Sequence, residues 1–200
     1  MIDTIIFDFG DIFINLDKQA TISGLEKLGM KEWNSEFARL NLMFEVGEIS
    51  HDDFLEGFQK QLPNASKEEI LTAWNAVLAD FPLYRLEFLQ MLSGKYRLFL
   101  LSNTDSIHIE TFENKSGISF YSDFYQCFEK VYFSFEIGKR KPDPDSFKYL
   151  INKHELSPKR TLFVDDKKEN TDSAAALGFH VWNLQVGKED VVDLFEKKIL

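Results

Sequence analysis

Short apolar runs alternate with helix-like stretches along much of this chain, and that alternation constrains its fold more than any other feature. The runs span residues 2–7, 97–101, 131–135, 161–164 and 179–183. Their length and their β-branched and aromatic residues are typical of buried strands. Because strands that alternate with helices pair in parallel, the sequence predicts an α/β fold with a doubly wound parallel sheet.

One long helical block interrupts the alternation after the first strand. Residues 17 to 92 have helical spacing throughout, and Ser50 and Ser66 each begin a helix with a capping-box pattern. We therefore expect this block to be a helical insertion between the first two strands. A final amphipathic helix is predicted from Lys188 to Leu200.

The composition restricts the partners and the location of the chain. Among 200 residues, 33 Asp and Glu outnumber 23 Lys and Arg, so the net charge is −10. This balance argues against nucleic-acid binding, which needs clustered basic residues. No apolar stretch approaches the roughly 18 residues that a membrane span needs, and no signal-peptide pattern is expected at the start. The single cysteine, Cys127, cannot form an intrachain disulfide, so we expect a cytoplasmic location.

Polar residues follow the apolar runs at points that a parallel sheet brings together. Asp8, Ser102 and the pair Asp165 and Asp166 end three of the predicted strands, and Lys141 follows another. Ligands bind at the carboxyl edge of open parallel sheets. We therefore expect these five residues to form one site.

The charges of these residues predict the kind of ligand. Three carboxylates that converge without a partner repel one another, and the pKa of at least one rises. A divalent cation removes that conflict, and oxygen ligands are the ones that Mg²⁺ prefers beside a substrate phosphate. With Asp8, Asp165 and Asp166 counted as −3, Mg²⁺ as +2 and Lys141 as +1, the site is neutral and can accept a phosphate.

Four motifs resemble, in their order and spacing, those of the haloacid dehalogenase-like superfamily. They are Ile6–Ile12, Leu101–Thr104, Arg140–Asp143, and Phe163–Asp166 followed by Asn170. Residues 44–50 are similar to a cap segment of the helical-cap branch that includes bacterial alpha-glucose 1-phosphatase. Each motif alone is weakly specific, whereas the ordered set is strongly specific.

This resemblance implies a two-part architecture. Residues 1–16 and 87–200 would form the α/β hydrolase core, with residues 17–86 as an inserted helical cap. The cap would close over the site and select the leaving group.

The resemblance also implies how phosphate is handled. Asp8 would attack phosphorus and form an aspartyl-phosphate that water hydrolyses. Ser102 and Asn103 would hold the phosphoryl oxygens. Lys141 would offset negative charge on the nucleophile and the phosphate.

The implied cofactor is Mg²⁺, held at the same edge of the sheet. Its ligands would be Asp8, the backbone carbonyl of Gly10, and Asp166. Asp165 would be either a further ligand or a partner beside the metal. Asn170 would orient the loop that carries the two acids.

One position departs from the usual phosphatase pattern of this family. Most members carry a second aspartate two residues after the nucleophile, as the acid that protonates the leaving group, and this chain has Gly10 there. Such an acid typically contributes roughly 10²- to 10⁴-fold to the rate. The neighbouring Asp11 is expected to point away, since one residue of shift turns a side chain. A good leaving group, such as that of an anomeric sugar phosphate, needs the acid least.

The sequence thus predicts a Mg²⁺-dependent phosphatase that acts on a small phosphorylated metabolite, with a sugar phosphate favoured. Two alternatives stay open: a haloacid dehalogenase-type hydrolase, and a catalytically weak relative that only binds phosphate. No nucleic acid, membrane or obligate protein partner is expected. The aromatic residues are expected to pack in the core, with Phe44 or Trp74 as an alternative sugar-binding wall. Cys127 is expected to be inert, and four histidines to be structural or exposed: His51, His108, His154 and His180.

Overall fold

All the strands of this protein run parallel in a single five-stranded sheet, in the order β3-β2-β1-β4-β5. The structure is a computed structural model that describes residues 1–200. The strands are β1 (Thr4–Phe7), β2 (Arg97–Ser102), β3 (Lys130–Phe133), β4 (Thr161–Asp165) and β5 (His180–Asn183). This arrangement confirms the predicted α/β fold with its parallel sheet.

The central strand β1 brings the first acidic residue to the middle of the sheet edge. Its four residues are all buried, as expected for an apolar strand covered on both faces. Phe7 is level with Leu100 of β2 and with Val164 of β4. Because these three strands end side by side, Asp8 and Asp165 emerge next to each other at the carboxyl edge.

Ten α-helices surround the sheet or form the insertion. They are α1 (Lys18–Lys27), α2 (Ser35–Glu45), α3 (His51–Gln61), α4 (Lys67–Asn75), α5 (Leu83–Ser93), α6 (Ser106–Ser116), α7 (Ile118–Gln126), α8 (Ser134–Ile137), α9 (Pro144–His154) and α10 (Lys168–Ala176). The capping boxes predicted at Ser50 and Ser66 are present, and each side chain accepts from the third residue of its helix. None of these helices combines the length and the apolar character that crossing a membrane requires.

The helices α1 to α4 lie between β1 and β2 in the chain and pack around an apolar cluster that also includes Ile107 of α6. Its largest members are aromatic, and Phe54 contacts Phe44 and Phe58 with ring centroids 4.4 Å apart in both pairs. Tilted and offset aromatic packing of this kind stabilises beyond the area that it buries. This cluster is distinct from the two clusters that cover the faces of the sheet.

The predicted final α-helix is wrong. Residues Val191–Lys197 form a short 3₁₀ segment instead of a helix over 188–200. Its start carries a capping box between Asp190 and Asp193, while Lys197 returns to pair with Glu189. The pair between Lys197 and Glu189 ties the end of this segment to a residue just before its start. Its apolar residues pack in the cluster against the sheet without α-helical hydrogen bonds.

Candidate active site

A buried lysine lies at the centre of the residues that gather at the carboxyl edge of the sheet. The Lys141 ammonium is 2.8 Å from Oδ1 of Asp8 and 2.7 Å from Oδ2 of Asp165, and its side chain is 0% exposed. Burial lowers the pKa of Lys141, but the attraction of Asp165 and Asp8 outweighs it and the pKa is raised. Lys141 is therefore a fixed positive charge between two carboxylates.

The backbone of Lys141 is held as firmly as its side chain. The Lys141 N–H donates to Oδ1 of Asn103 over 2.9 Å, and the Asn103 amide donates to the Lys141 carbonyl over 2.7 Å. Nearby, the Ser134 hydroxyl pairs with both backbone groups of Thr104. Two loops that are distant in sequence are thereby joined directly after Ser102, at the end of β2.

Both oxygens of Asp165 are already satisfied by the protein. Oδ1 accepts from the Lys167 N–H over 2.8 Å, and Oδ2 accepts from Lys141. The Asn170 amide lies 3.0 Å from each of the two oxygens. Asp165 is thus better suited to orienting Lys141 than to binding a metal ion directly.

Three carboxylates are close enough to share a cation. Ligand oxygens of Asp8, Asp165 and Asp166 all lie within 4.8 Å of one another. Burial raises the pKa of Asp8 to about 6, although Lys141 opposes this shift. Burial also raises the pKa of Asp166, with a further contribution from the charge of Asp165. Carboxylates whose pKa is raised by burial and mutual repulsion suit a hard divalent cation, because the cation removes the repulsion.

Asp166 is the freest of the acids to take a metal ion. Its only ion pair is a long one, 3.7 Å to the exposed Lys18 ammonium. Its carbonyl accepts from the Asn183 amide over 2.7 Å, which fixes the loop after β4. The donor set of Asp8 and Asp166, supported by Asp165, therefore suits Mg²⁺.

The space beside Gly10 is filled by an apolar side chain. A Cβ atom at Gly10 would lie 2.7 Å from Cδ1 of Leu16. The neighbouring Asp11 is engaged by other groups: it accepts from the Leu16 N–H over 3.0 Å and from Lys18 over 2.8 Å. Position 10 itself thus offers no carboxylate.

A cavity of about 270 Å³ lies between this edge of the sheet and the helical insertion. The core contributes Phe9, Gly10 and the loop 102–105 to its walls. The insertion contributes Asn41, Glu45, Trp74, Val77 and Leu78. Trp74 thus lines this cavity, and its contact with a sugar stays a prediction. Phe44 lies in the apolar cluster of the insertion instead.

Sequence reasoning missed a cluster that joins the insertion to the core. His108 stacks on Trp74 with ring centroids 5.2 Å apart and planes 8° from parallel. His108 Nδ1 is 2.9 Å from Oδ2 of Asp105, and Nε2 is 3.1 Å from the Trp74 carbonyl oxygen. The Trp74 indole N–H also donates to Asp105 over 3.1 Å. His108 is thus not a surface residue but part of the cavity wall, and its i, i+3 spacing from Asp105 was the available signal.

Comparisons with known proteins agree with this geometry. The haloacid dehalogenase-like hydrolase family matches the chain over residues 5–184. A D-ribitol-5-phosphate phosphatase of Bacteroides thetaiotaomicron is 27% identical over 199 residues, which is 94% of this chain and 95% of that protein.

Two solved structures are similar over nearly their whole length. One, a family enzyme of Bacteroides thetaiotaomicron in complex with magnesium and inorganic phosphate, has 32% identity and a TM-score of 0.85, covering 94% of this chain and 97% of that one. The other, a predicted family hydrolase from Porphyromonas gingivalis, has 26% identity and a TM-score of 0.86, covering 100% and 99%. This chain therefore belongs to the haloacid dehalogenase-like hydrolase family.

Proposed function

We propose that this protein is a Mg²⁺-dependent phosphatase that hydrolyses small phosphomonoesters, with sugar and sugar-alcohol phosphates favoured. The observation that carries the proposal is the buried Lys141 between Asp8 and Asp165. A fixed cation against a potential nucleophile serves phosphoryl transfer, because it offsets charge on both the nucleophile and the phosphate.

Asp8 is the proposed nucleophile. Its carboxylate oxygen bonds to phosphorus while the bond from phosphorus to the alcohol oxygen breaks, which leaves an aspartyl-phosphate. The oxygen of a water molecule then bonds to that phosphorus while the bond from phosphorus to the Asp8 oxygen breaks, which releases inorganic phosphate and restores the carboxylate. Ser102 and Asn103 hold the phosphoryl oxygens, and Lys141 stabilises the negative charge that both steps share.

Asp8, the carbonyl of Gly10, and Asp166 are the proposed metal ligands, with Asp165 beside them. Bound Mg²⁺ supplies positive charge that lets a carboxylate and a phosphate approach each other. Asp165 contributes by holding Lys141, and Asn170 contributes by holding Asp165. We assign Asp165 this supporting role because both of its oxygens already accept hydrogen bonds from protein groups.

The size of the cavity and its cover support a small substrate. Residues 17–86 are the proposed cap, and residues 1–16 and 87–200 are the proposed core, with α5 crossing the second boundary. The walls from the cap present the amide of Asn41 and the ring of Trp74. These groups suit hydroxyl-bearing leaving groups, in keeping with a relative named for a sugar-alcohol phosphate.

The leaving group must depart without a side-chain acid at position 10. Leu16 fills that place, so the leaving oxygen takes its proton from water. Esters with stable leaving groups, such as anomeric sugar phosphates, are therefore proposed to react faster than primary-alcohol phosphates. The setting proposed for this reaction is the cytoplasm, without an obligate protein partner.

A phosphate-release screen tests the proposal. Purified protein is incubated with phosphorylated sugars, sugar alcohols and nucleotides, with Mg²⁺ or with a chelator, and Asp8→Asn is the control. We expect Mg²⁺-dependent phosphate release that Asp8→Asn abolishes. Halide release from haloacids that withstands the chelator would favour the dehalogenase alternative. Phosphate binding without any turnover would favour the weak phosphate-binding relative.

A further inference from the structure

The turn after α2 lies against the segment that leads to Lys141. Gly47 in this turn has a φ of +73°, and a Cβ atom there would lie 2.2 Å from the Phe135 carbonyl oxygen. Only glycine permits both this backbone conformation and so close an approach. The turn is therefore seated directly on α8, with no room for a side chain between them.

An ion pair joins the same turn to the segment after α8. The Arg140 Nε donates to Oε1 of Glu45 over 2.7 Å. The Glu45 side chain is 15% exposed and that of Arg140 is 36% exposed. Glu45 is the last residue of α2 and lines the cavity. Its only ion pair is the one with Arg140, so its fixed contact with the core runs through that guanidinium.

Arg140 directly precedes Lys141 in the chain. Lys141 is bound through its backbone to Asn103 and through its ammonium to Asp8 and Asp165. The contact of Arg140 with Glu45 is thus a further attachment, beside Asn103, of the backbone from which the ammonium reaches Asp8. In a preorganised site, a misplacement of about 1 Å can lower the rate by roughly a hundredfold.

We propose that Glu45 is a positioning residue: by holding Arg140 while the cap covers the site, it sets the place of Lys141 against Asp8. This inference rests on the proposed function, because it concerns the charge that acts on the phosphoryl group. It assigns Arg140 the role of the connection between the cap and Lys141. Under this inference, the position of the cap over the substrate and the position of Lys141 against Asp8 depend on the same contact.

A double-mutant cycle tests the inference. Steady-state kinetics with p-nitrophenyl phosphate and with D-ribitol 5-phosphate, at saturating Mg²⁺, are compared for wild type, Glu45→Gln, Arg140→Gln and the double variant. We expect each single variant to lower kcat about tenfold with KM nearly unchanged. The double variant should be no slower than the singles, because both remove the same contact. Arg140→Lys, which keeps a cation, should recover part of the rate.

Glu36→Gln is the matched control. Glu36 lies on the same helix and makes an ion pair of the same 2.7 Å length with Arg39, but both side chains are exposed and lie away from the core. This variant should match wild type in kcat and KM. Thermal unfolding of every variant separates a loss of rate from a loss of folded protein.

Three results would overturn the inference. They are losses that multiply in the double variant, a change in KM alone, and a loss in Glu45→Gln that Arg140→Gln does not share. Folded Glu45 and Arg140 variants that match an active wild type would refute the inference and leave the proposed function standing. A wild type that releases no phosphate from any ester would refute both.

Discussion

Lys141 is the residue on which the candidate site depends most. Its ammonium compensates two buried carboxylates, so its removal leaves Asp8 and Asp165 buried without a counter-charge. Breaking such a buried pair typically costs about 3–5 kcal/mol. The residue that we propose to serve the reaction therefore also holds the sheet edge together.

Lys141→Met should lower the free energy of unfolding by about 3 kcal/mol or more when a chelator is present. Urea unfolding measures this loss. The control is Lys148→Met, whose exposed partner is Asp145 at 3.1 Å, and we expect it to lose less than about 1 kcal/mol. Equal losses in the two variants would contradict a buried, charged Lys141.

At the same scale, Leu16 occupies the space that a side chain at position 10 would enter. We expect wild type to hydrolyse anomeric sugar phosphates faster than primary-alcohol phosphates. Gly10→Asp alone should leave the difference in rate between the two substrates unchanged, because the new side chain meets Leu16. Gly10→Asp combined with Leu16→Ala should make that difference smaller. The kcat/KM ratio of the two substrates is the measurement. Equal kcat/KM values for the two substrates in wild type would show that the missing acid does not limit the reaction.

At the scale of elements, α4 and α6 meet through a histidine that faces two acceptors. The His108 ring can donate to the Asp105 carboxylate and to the Trp74 carbonyl at the same time only when both of its nitrogens carry protons. Burial lowers the pKa of His108, but Asp105, the Trp74 carbonyl and the more distant Glu45 outweigh it, and the pKa is raised above 6.5. The contact between cap and core is thus strongest when His108 is charged.

The stability of the protein should accordingly depend on pH through His108. A raised pKa in the folded state stabilises fully below the unfolded value, near 6.5, and this contribution disappears as pH rises through the folded value. The difference in unfolding free energy between wild type and His108→Gln should therefore be largest at acid pH and shrink towards alkaline pH. A difference that stays constant with pH would mean that folding does not shift the pKa of His108, and a difference that shrinks towards acid pH would mean that His108 stays neutral in the fold.

The elements that could be predicted from the sequence are those with local signals. The strands that end at Asp8 and Asp165 are apolar runs closed by acids, and the helices that begin at Ser50 and Ser66 carry their own capping boxes. The sequence wrongly predicts an α-helix over the segment Val191–Lys197, because amphipathic spacing does not reveal the 3₁₀ conformation or the pair between Lys197 and Glu189.

The parts of the site that could not be predicted depend on contacts between distant segments. Leu16 meets Gly10 because of how the chain leaves the sheet, and Glu45 meets Arg140 from the far end of the insertion. His108 gains its partner Trp74 only when α4 lies on α6. No periodicity or spacing within one segment carries this information.

For the whole molecule, the net charge of −10 has two parts. One part is local, in the acids that gather at the sheet edge and repel one another. The other is spread over exposed helix faces, where it opposes binding to nucleic acid. At the proposed Mg²⁺ site, the local part would link folding to metal binding.

Mg²⁺ should therefore stabilise the folded protein. At a hundredfold excess over its Kd, a ligand that binds only the folded state adds about 2.7 kcal/mol to the free energy of unfolding. Thermal unfolding with MgCl₂, compared with NaCl at equal ionic strength, measures this gain. Asp166→Asn should fold and lose most of the gain. A gain that persists in Asp166→Asn would assign the metal to other ligands.

The central claim, that Asp8 accepts a phosphoryl group beside bound Mg²⁺, is tested most directly with beryllium fluoride. This phosphoryl mimic bonds to an aspartate oxygen, and ¹⁹F NMR distinguishes its bound fluorine from the free form. We predict a bound signal for wild type with Mg²⁺, and none with a chelator or with Asp8→Asn. A signal that persists in Asp8→Asn, or no signal in wild type with Mg²⁺, would contradict the claim.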